Sequence, residues 1–259
     1  MLAEAFFVPT DRGFEATHST GGPWRSDAQH GGPPAALLGR ALERSAGRPL
    51  GSIALDLLGP VPLGPLTVDA EVVRPGRSVS LHQAVLRDGT DRAVATARAW
   101  AFPDLPGPGE VGPPPDHTPE DGHPQPSPAS WRPGYLDATE WRWISGGVAD
   151  PGPAVVWMRP RIPLVAGEET SPLQRLLCCV DSASGVSAAL DPAAWDFLNT
   201  ELSVHVLRPP EGDWVCLEAR TTLGPGAVGI ATSDVYDARG LVARSEQALL
   251  VVPARARAQ

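Results

Sequence analysis

Each half of the sequence carries the same run of elements, and this repetition limits the folds open to the chain. Each half offers a helix-like segment, then strand-like runs that end in a similar turn of acidic residues and glycine. The first half reads 31-GGPPAALLGRALERS, 53-IALDLLGPVPLGPLTVDAEVV and 81-LHQAVLRDGTDRAVATARAWAF. The second reads 172-PLQRLLCCVDSASGVSAAL, 202-LSVHVLRPPEGDWVCLEARTT and 230-IATSDVYDARGLVARSEQALLVV. With 259 residues, there is room for two units of about 110 to 130 residues each, an ordinary domain size.

The spacing of apolar residues predicts the elements. Leu173, Leu176, Leu177, Val180, Ser184, Ser187 and Leu190 recur at three- and four-residue steps, which gives a helix with one mainly apolar face. Ala36, Leu37, Leu38, Ala41 and Leu42 do the same in the first half, after Pro33 and Pro34, which suit a first helical turn. Strand-like alternation follows in the second half. Leu202, Val204 and Val206 alternate with Ser203, His205 and Leu207; Val215, Leu217, Ala219 and Thr221 alternate with Cys216, Glu218, Arg220 and Thr222. The segments 88-DGTD and 237-DARG read as hairpin loops. A helix followed by an antiparallel meander, made twice, is an α+β pattern.

Between the halves, residues 103–133 are crowded with proline and poor in large apolar groups, the composition of a linker. The expected division is residues 1–102, a linker over 103–133, and residues 134–259. His117 and His123 lie in the linker with no cysteine near them, and no metal site is expected there.

Composition excludes several functions. The net charge is −9, the wrong sign for a general nucleic-acid binder. All 21 strong cations are arginines, so a Schiff-base lysine and a P-loop are ruled out. No apolar run approaches the ~18 residues of a membrane span, and the N-terminus shows no basic region followed by an apolar block, so a cytoplasmic protein with no membrane partner is expected. The three cysteines, Cys178, Cys179 and Cys216, are an odd number with two adjacent in a helix, which favours buried thiols over disulfides.

The order of elements resembles the hotdog fold, and its duplication resembles the double-hotdog acyl-CoA thioesterases of the type II family. The resemblance rests on 27-DAQHGGPPAALLGRAL and 86-LRDGTDRAVATARAWAF in the first half, and on 195-WDFLNTELSVHVLRPPEGDWVCLEARTT and 240-GLVARSEQALLV in the second. It implies two tandem hotdog units, each a long central helix wrapped by a curved antiparallel sheet. It implies hydrolysis of an acyl thioester, carried on CoA or another carrier, by a water that an Asp, a Thr and a Gln hold. Those roles fall on Asp181, Thr222 and Gln247, with Thr221 one register away from Thr222. No metal and no cofactor is needed beyond the CoA of the substrate, and a homo-oligomer is expected.

The residues support a site in the second half. Asp181 lies at the margin of an apolar helix stripe, where a carboxylate needs hydrogen-bond partners. Gln247 shares a strand face with Ala243, Ser245, Leu249 and Val251, opposite Arg244 and Glu246, so its amide points to the less charged side. Overlaying the halves puts Ala99 opposite Gln247 and the neighbourhood of Pro34 opposite Asp181, so the polar set exists once. His30, Gly31 and Gly32 open the first helix, where backbone N–H groups favour developing negative charge, and are the expected substrate-binding residues. Two other readings stand: a non-catalytic hotdog binder of acyl thioesters, and an acyl-CoA hydratase or dehydratase. The second is disfavoured because no Asp-x-x-x-x-His occurs, and a serine hydrolase is disfavoured because no G-x-S-x-G elbow occurs.

Overall fold

The computed structural model describes residues 1–23, 25–109, 112–127, 131–147, 150–191 and 194–254. Within the expected linker, residues 110–111 and 128–130 lie outside the described residues, as do residues 255–259 of the expected second unit. The first half forms β1 (Phe7–Thr10), β2 (Gly13–Ala16), α1 (Gly32–Ala46), β3 (Leu50–Leu57), β4 (Pro65–Arg74), β5 (Ser80–Asp88) and β6 (Ala93–Ala101). The second forms α2 (Tyr135–Ala138), β7 (Thr139–Gly147), β8 (Asp150–Pro160), α3 (Pro172–Val180), α4 (Ala183–Val186), β9 (Trp195–Asn199), β10 (Glu201–Val206), β11 (Val215–Leu223), β12 (Val228–Asp237) and β13 (Gly240–Pro253).

The strands join in one antiparallel sheet, in the order β1-β2-β4-β5-β6-β3-β10-β13-β12-β11-β8-β7, with β9 also paired to β13. The two halves meet where β3 lies beside β10, with Ile53 opposite Val204. Helix α1 packs on β3 to β6, while α3 and α4 pack on strands of the second half. This is a mostly antiparallel sheet with few helices, an α+β architecture.

The helices touch each other back to back. Helix α1 starts on two prolines and stops at Gly47, whose φ of +61° ends the helix in the left-handed conformation. Gly39 lets the helices close up: a Cβ there would stand 2.2 Å from Leu177 Cδ1. At Gly32 a Cβ would meet the Cys178 carbonyl oxygen at 2.1 Å. At the other end Glu43 accepts hydrogen bonds from the Ser171 hydroxyl and the Gln174 amide, so α1 and α3 run antiparallel. Ser171 caps α3 by accepting the Gln174 N–H, and Gln174 Oε1 accepts the Ser171 N–H in return.

The second helix is shorter than its periodicity predicts. The apolar stripe runs from Leu173 to Leu190, yet α3 ends at Val180 and only one further turn, α4, follows. The break falls on Asp181. The long central helix expected of the second half is therefore replaced by two short pieces, with the joint held by hydrogen bonds described below.

Both predicted hairpins form around a buried aspartate. In the β5–β6 turn, Asp88 Oδ1 accepts from the N–H groups of Thr90 and Arg92 and from the Thr90 hydroxyl. In the β12–β13 turn, Asp237 accepts from the N–H groups of Glu211 and Arg239 and pairs with Arg208. The repeat thus extends to the residues that close its hairpins. Hydrogen bonds from Thr90 hold the Asp88 carboxyl at a pKa of about 2, below its ordinary 3.8. A carboxyl with a depressed folded-state pKa stabilises above its unfolded pKa and loses that effect as pH falls. Asp88→Asn is therefore expected to lower the melting temperature at pH 7, with the gap to wild type closing between pH ~4 and ~2. Melting curves across that range check it; a gap that does not change with pH would contradict the assignment.

All three cysteines are free and buried. Among the described residues, no helix is long and apolar enough to cross a membrane.

Candidate active site

The break after Val180 exposes backbone groups that a continuous helix would satisfy within itself. The Ser182 N–H turns to the Cys179 carbonyl, three residues back. The Cys178 carbonyl instead accepts from the Tyr135 hydroxyl at 2.8 Å. Gln247, reaching in from β13, serves two more: its Nε2 donates to the Asp181 carbonyl at 3.0 Å and its Oε1 accepts the Ser184 N–H at 3.1 Å. Gln247 is completely buried. Its amide clamps the joint between α3 and α4 from below, and Asp181 sits on that joint.

The Asp181 carboxylate is itself buried and partnered on several sides. Asn199, at the end of β9, donates from Nδ2 to Oδ1 at 2.5 Å. Gln247 Nε2 lies 3.4 Å from the same oxygen, a long contact. Oδ2 stands 3.2 Å from His30 Nδ1. Gly31 lies against the carboxylate so closely that a Cβ there would stand 2.7 Å from both oxygens. Asp181 and Gln247 come from the second half, His30 and Gly31 from the first.

His30 is sandwiched into this site. Its ring stacks on Tyr135 with centroids 3.9 Å apart and planes 13° apart. Its Nδ1 accepts the Gly32 N–H at 3.0 Å. Burial lowers its pKa, and the Asp181 charge opposes that only in part, so the imidazole is neutral at pH 7. A neutral ring with Nδ1 accepting carries its proton on Nε2.

Above Asp181 opens a cavity of about 390 Å³. His30, Gly31, Val61, Asp181, Ser184 and Asn199 line it, with Trp141, Trp143 and Phe197 among its apolar lining residues. Gln125 and Ser127 of the proline-rich segment also border it. Asp181 is the one carboxylate among the described residues that line it.

The predicted residues therefore divide. Asp181, Gln247, His30 and Gly31 converge, and the Gly32 N–H holds the His30 ring. Thr222 does not join them: it is exposed on the outer face of β11, opposite Ile230. The expectation for Thr222 is corrected by one register. Alternation along β11 puts Thr221 on the inner face with Val215, Leu217 and Ala219, in register with Ala231 and, through it, Gln247. Thr221 Oγ1 lies 2.9 Å from Ser187 Oγ, whose own proton goes to the Ala183 carbonyl. Thr221 must then donate to Ser187. It braces the end of α4 rather than touching Asp181.

Two contributors were missed by sequence reasoning. Asn199 stands in a strand, where Asn is disfavoured unless its side chain has a partner; that mismatch was a usable signal. Tyr135 follows the proline-rich segment and left no periodic trace.

Residues 20–102 match the family model described as the acyl-CoA thioesterase N-terminal domain, and residues 119–251 match that of the acyl-CoA thioesterase C-terminal domain. The chain belongs to the acyl-CoA thioesterase family. No curated protein matches it. Among solved structures, a conserved protein of unknown function with a hotdog fold from Alicyclobacillus acidocaldarius is 17% identical, with a TM-score of 0.73 and 96% of each chain covered. A "putative thioesterase II" from Thermobifida fusca is 21% identical, with a TM-score of 0.75 and 96% of each chain covered. The acyl-CoA thioesterase II TesB2 of Mycobacterium marinum is 16% identical, with a TM-score of 0.64 over 90% of this chain and 92% of the other. At such identities the structural likeness carries the hotdog fold. The acyl-CoA thioesterase family implies an acyl-CoA substrate for this member.

Proposed function

We propose that this acyl-CoA thioesterase family member hydrolyses the thioester of an acyl-CoA with Asp181 as general base. The observation that carries the reading is a single carboxylate, gripped by Asn199 and seated on a clamped helix break, at the floor of an otherwise largely apolar cavity. Such a group accepts a proton from a water while the acyl chain lies among Trp141, Trp143 and Phe197. The thioester carbonyl becomes an oxyanion during attack. In this reading the N–H of Gly31, the N-cap of α1 and a lining residue of the cavity, meets it. Gln247 and Thr221 are positioning residues: one fixes the backbone under Asp181, the other the end of α4. The reaction needs no metal or cofactor besides the CoA of the substrate. The two units of this reading are residues 1–102 and 134–259, and the site takes residues from both, once per chain.

Thiol release from acyl-CoAs of increasing chain length tests the reading. Turnover that Asp181→Asn abolishes is the expected result. Tight binding of acyl-CoA without thiol release would favour the non-catalytic binder instead.

The register of β11 gives a second check. Thr222→Val, on the outer face, is expected to change hydrolysis by less than about twofold. Thr221→Val removes one hydrogen bond of roughly 1 kcal/mol, enough for a loss of about fivefold if that bond positions the site. The reverse order in a rate assay would restore Thr222 to the site.

A further inference from the structure

Hydrolysis leaves a proton to be returned. Asp181 takes one from water, and the departing CoA thiolate is basic enough to need one. Most other proton donors near Asp181 are occupied or held back. The Tyr135 hydroxyl is committed to the Cys178 carbonyl and Ser182, and burial pushes its pKa and that of the Cys178 thiol well up. Arg25 at the rim is paired with Asp27.

His30 is placed differently. Its Nδ1 stands 3.2 Å from Asp181 Oδ2, and its ring borders the cavity where the thioester would lie. In the resting site Nδ1 is occupied by the Gly32 N–H, so Nε2 bears the proton. Between Nδ1 and an ionised Oδ2 there is then no hydrogen. The contact becomes a hydrogen bond only once Asp181 is protonated, that is, after water has been deprotonated. An acceptor is already in place for a proton that arrives during the reaction.

We propose that His30 is the acid that protonates the leaving thiolate, recharged by Asp181. This rests on the general-base reading above. Water oxygen bonds to the thioester carbon, and its proton passes to Asp181 Oδ2. Collapse of the tetrahedral intermediate breaks the C–S bond. The sulfur takes the proton from His30 Nε2, and Nδ1 takes the proton from Oδ2. Asp181 ends ionised and His30 neutral, as they began, with the ring on its other tautomer. Exchange with water in the cavity returns the proton to Nε2, and the Gly32 N–H closes on Nδ1 again. The stack on Tyr135 keeps the ring in one plane throughout.

The test compares two substrates with the same acyl group. One is the CoA thioester; the other is a 4-nitrothiophenyl ester, whose thiolate leaves without protonation. His30→Gln is expected to lower the rate on the CoA ester by about 100-fold, the usual worth of a general acid, and on the aryl ester at least tenfold less. Equal losses on both esters, or no loss on either, would overturn the proposal. His30→Asn is measured in parallel should the Gln variant fail to fold. Asp181→Asn must suppress both esters; if it spares both, the general-base reading fails first, and the His30 comparison is decided separately by the ratio of its two rates.

Discussion

Replacing Asp181 with Asn is expected to lower thioester hydrolysis by roughly 10³-fold, within the range a general base contributes, while the protein stays folded. The new amide matches the carboxylate in size and keeps an oxygen for Asn199. Its nitrogen faces His30 Nδ1, which it must share with the Gly32 N–H. The carboxylate's bond from Asn199 is kept and only the new amide N–H competes for an occupied acceptor, so the melting temperature is expected to move by a few degrees. What is lost is the ability to accept a proton from water. The kcat for an acyl-CoA together with a melting curve checks this. A loss smaller than about tenfold with the fold intact would remove Asp181 as the base.

The second large effect is expected at Gln247, with a different signature. Gln247→Leu leaves the Ser184 N–H and the Asp181 carbonyl without their partner in a fully buried place. Each unsatisfied buried group costs about 1 to 3 kcal/mol, so a stability loss of roughly 2 to 6 kcal/mol is expected in urea unfolding. The joint between α3 and α4 also loosens, and Asp181 with it. Because Gln247 does not border the cavity, kcat is expected to fall by about 10- to 100-fold with KM nearly unchanged, the mark of an interaction that acts on the transition state. A raised KM with an unchanged kcat would mean that Gln247 contacts substrate after all.

Much of the architecture was legible in the sequence, because its signals are periodic. Three- and four-residue steps marked α1 and α3, two-residue steps marked β10, β11 and β13, and the hairpin aspartates were in place. The alternation along β13 put Gln247 inside, and it is buried there between Ser245 and Leu249. The alternation along β11 also put Thr221 inside, with Ala219 and Leu217. Naming Thr222 followed the family resemblance, while the alternation puts Thr222 on the opposite, exposed face.

Other features were not legible because they depend on groups distant in sequence. The helix break at Asp181 cannot be read from an apolar stripe that continues to Leu190. It exists because Tyr135, 43 residues from Cys178, and Gln247, 66 residues from Asp181, satisfy the backbone that the break exposes. Asn199 reaches Asp181 only because β9 pairs with β13, bringing Asn199 opposite Leu249. The contact between His30 and Asp181 joins the two halves, and no local pattern encodes it.

The central claim is that Asp181 activates water and does not itself attack the thioester. A single turnover in ¹⁸O-labelled water, with enzyme in excess over acyl-CoA and a parallel run with hydroxylamine, which would trap an acyl–Asp181 anhydride as a hydroxamate, separates the two. Direct attack by water puts one labelled oxygen into the released acid and leaves the Asp181 carboxylate unlabelled. An unlabelled acid, with the label found in the peptide that carries Asp181, would show attack by the carboxylate and contradict the account.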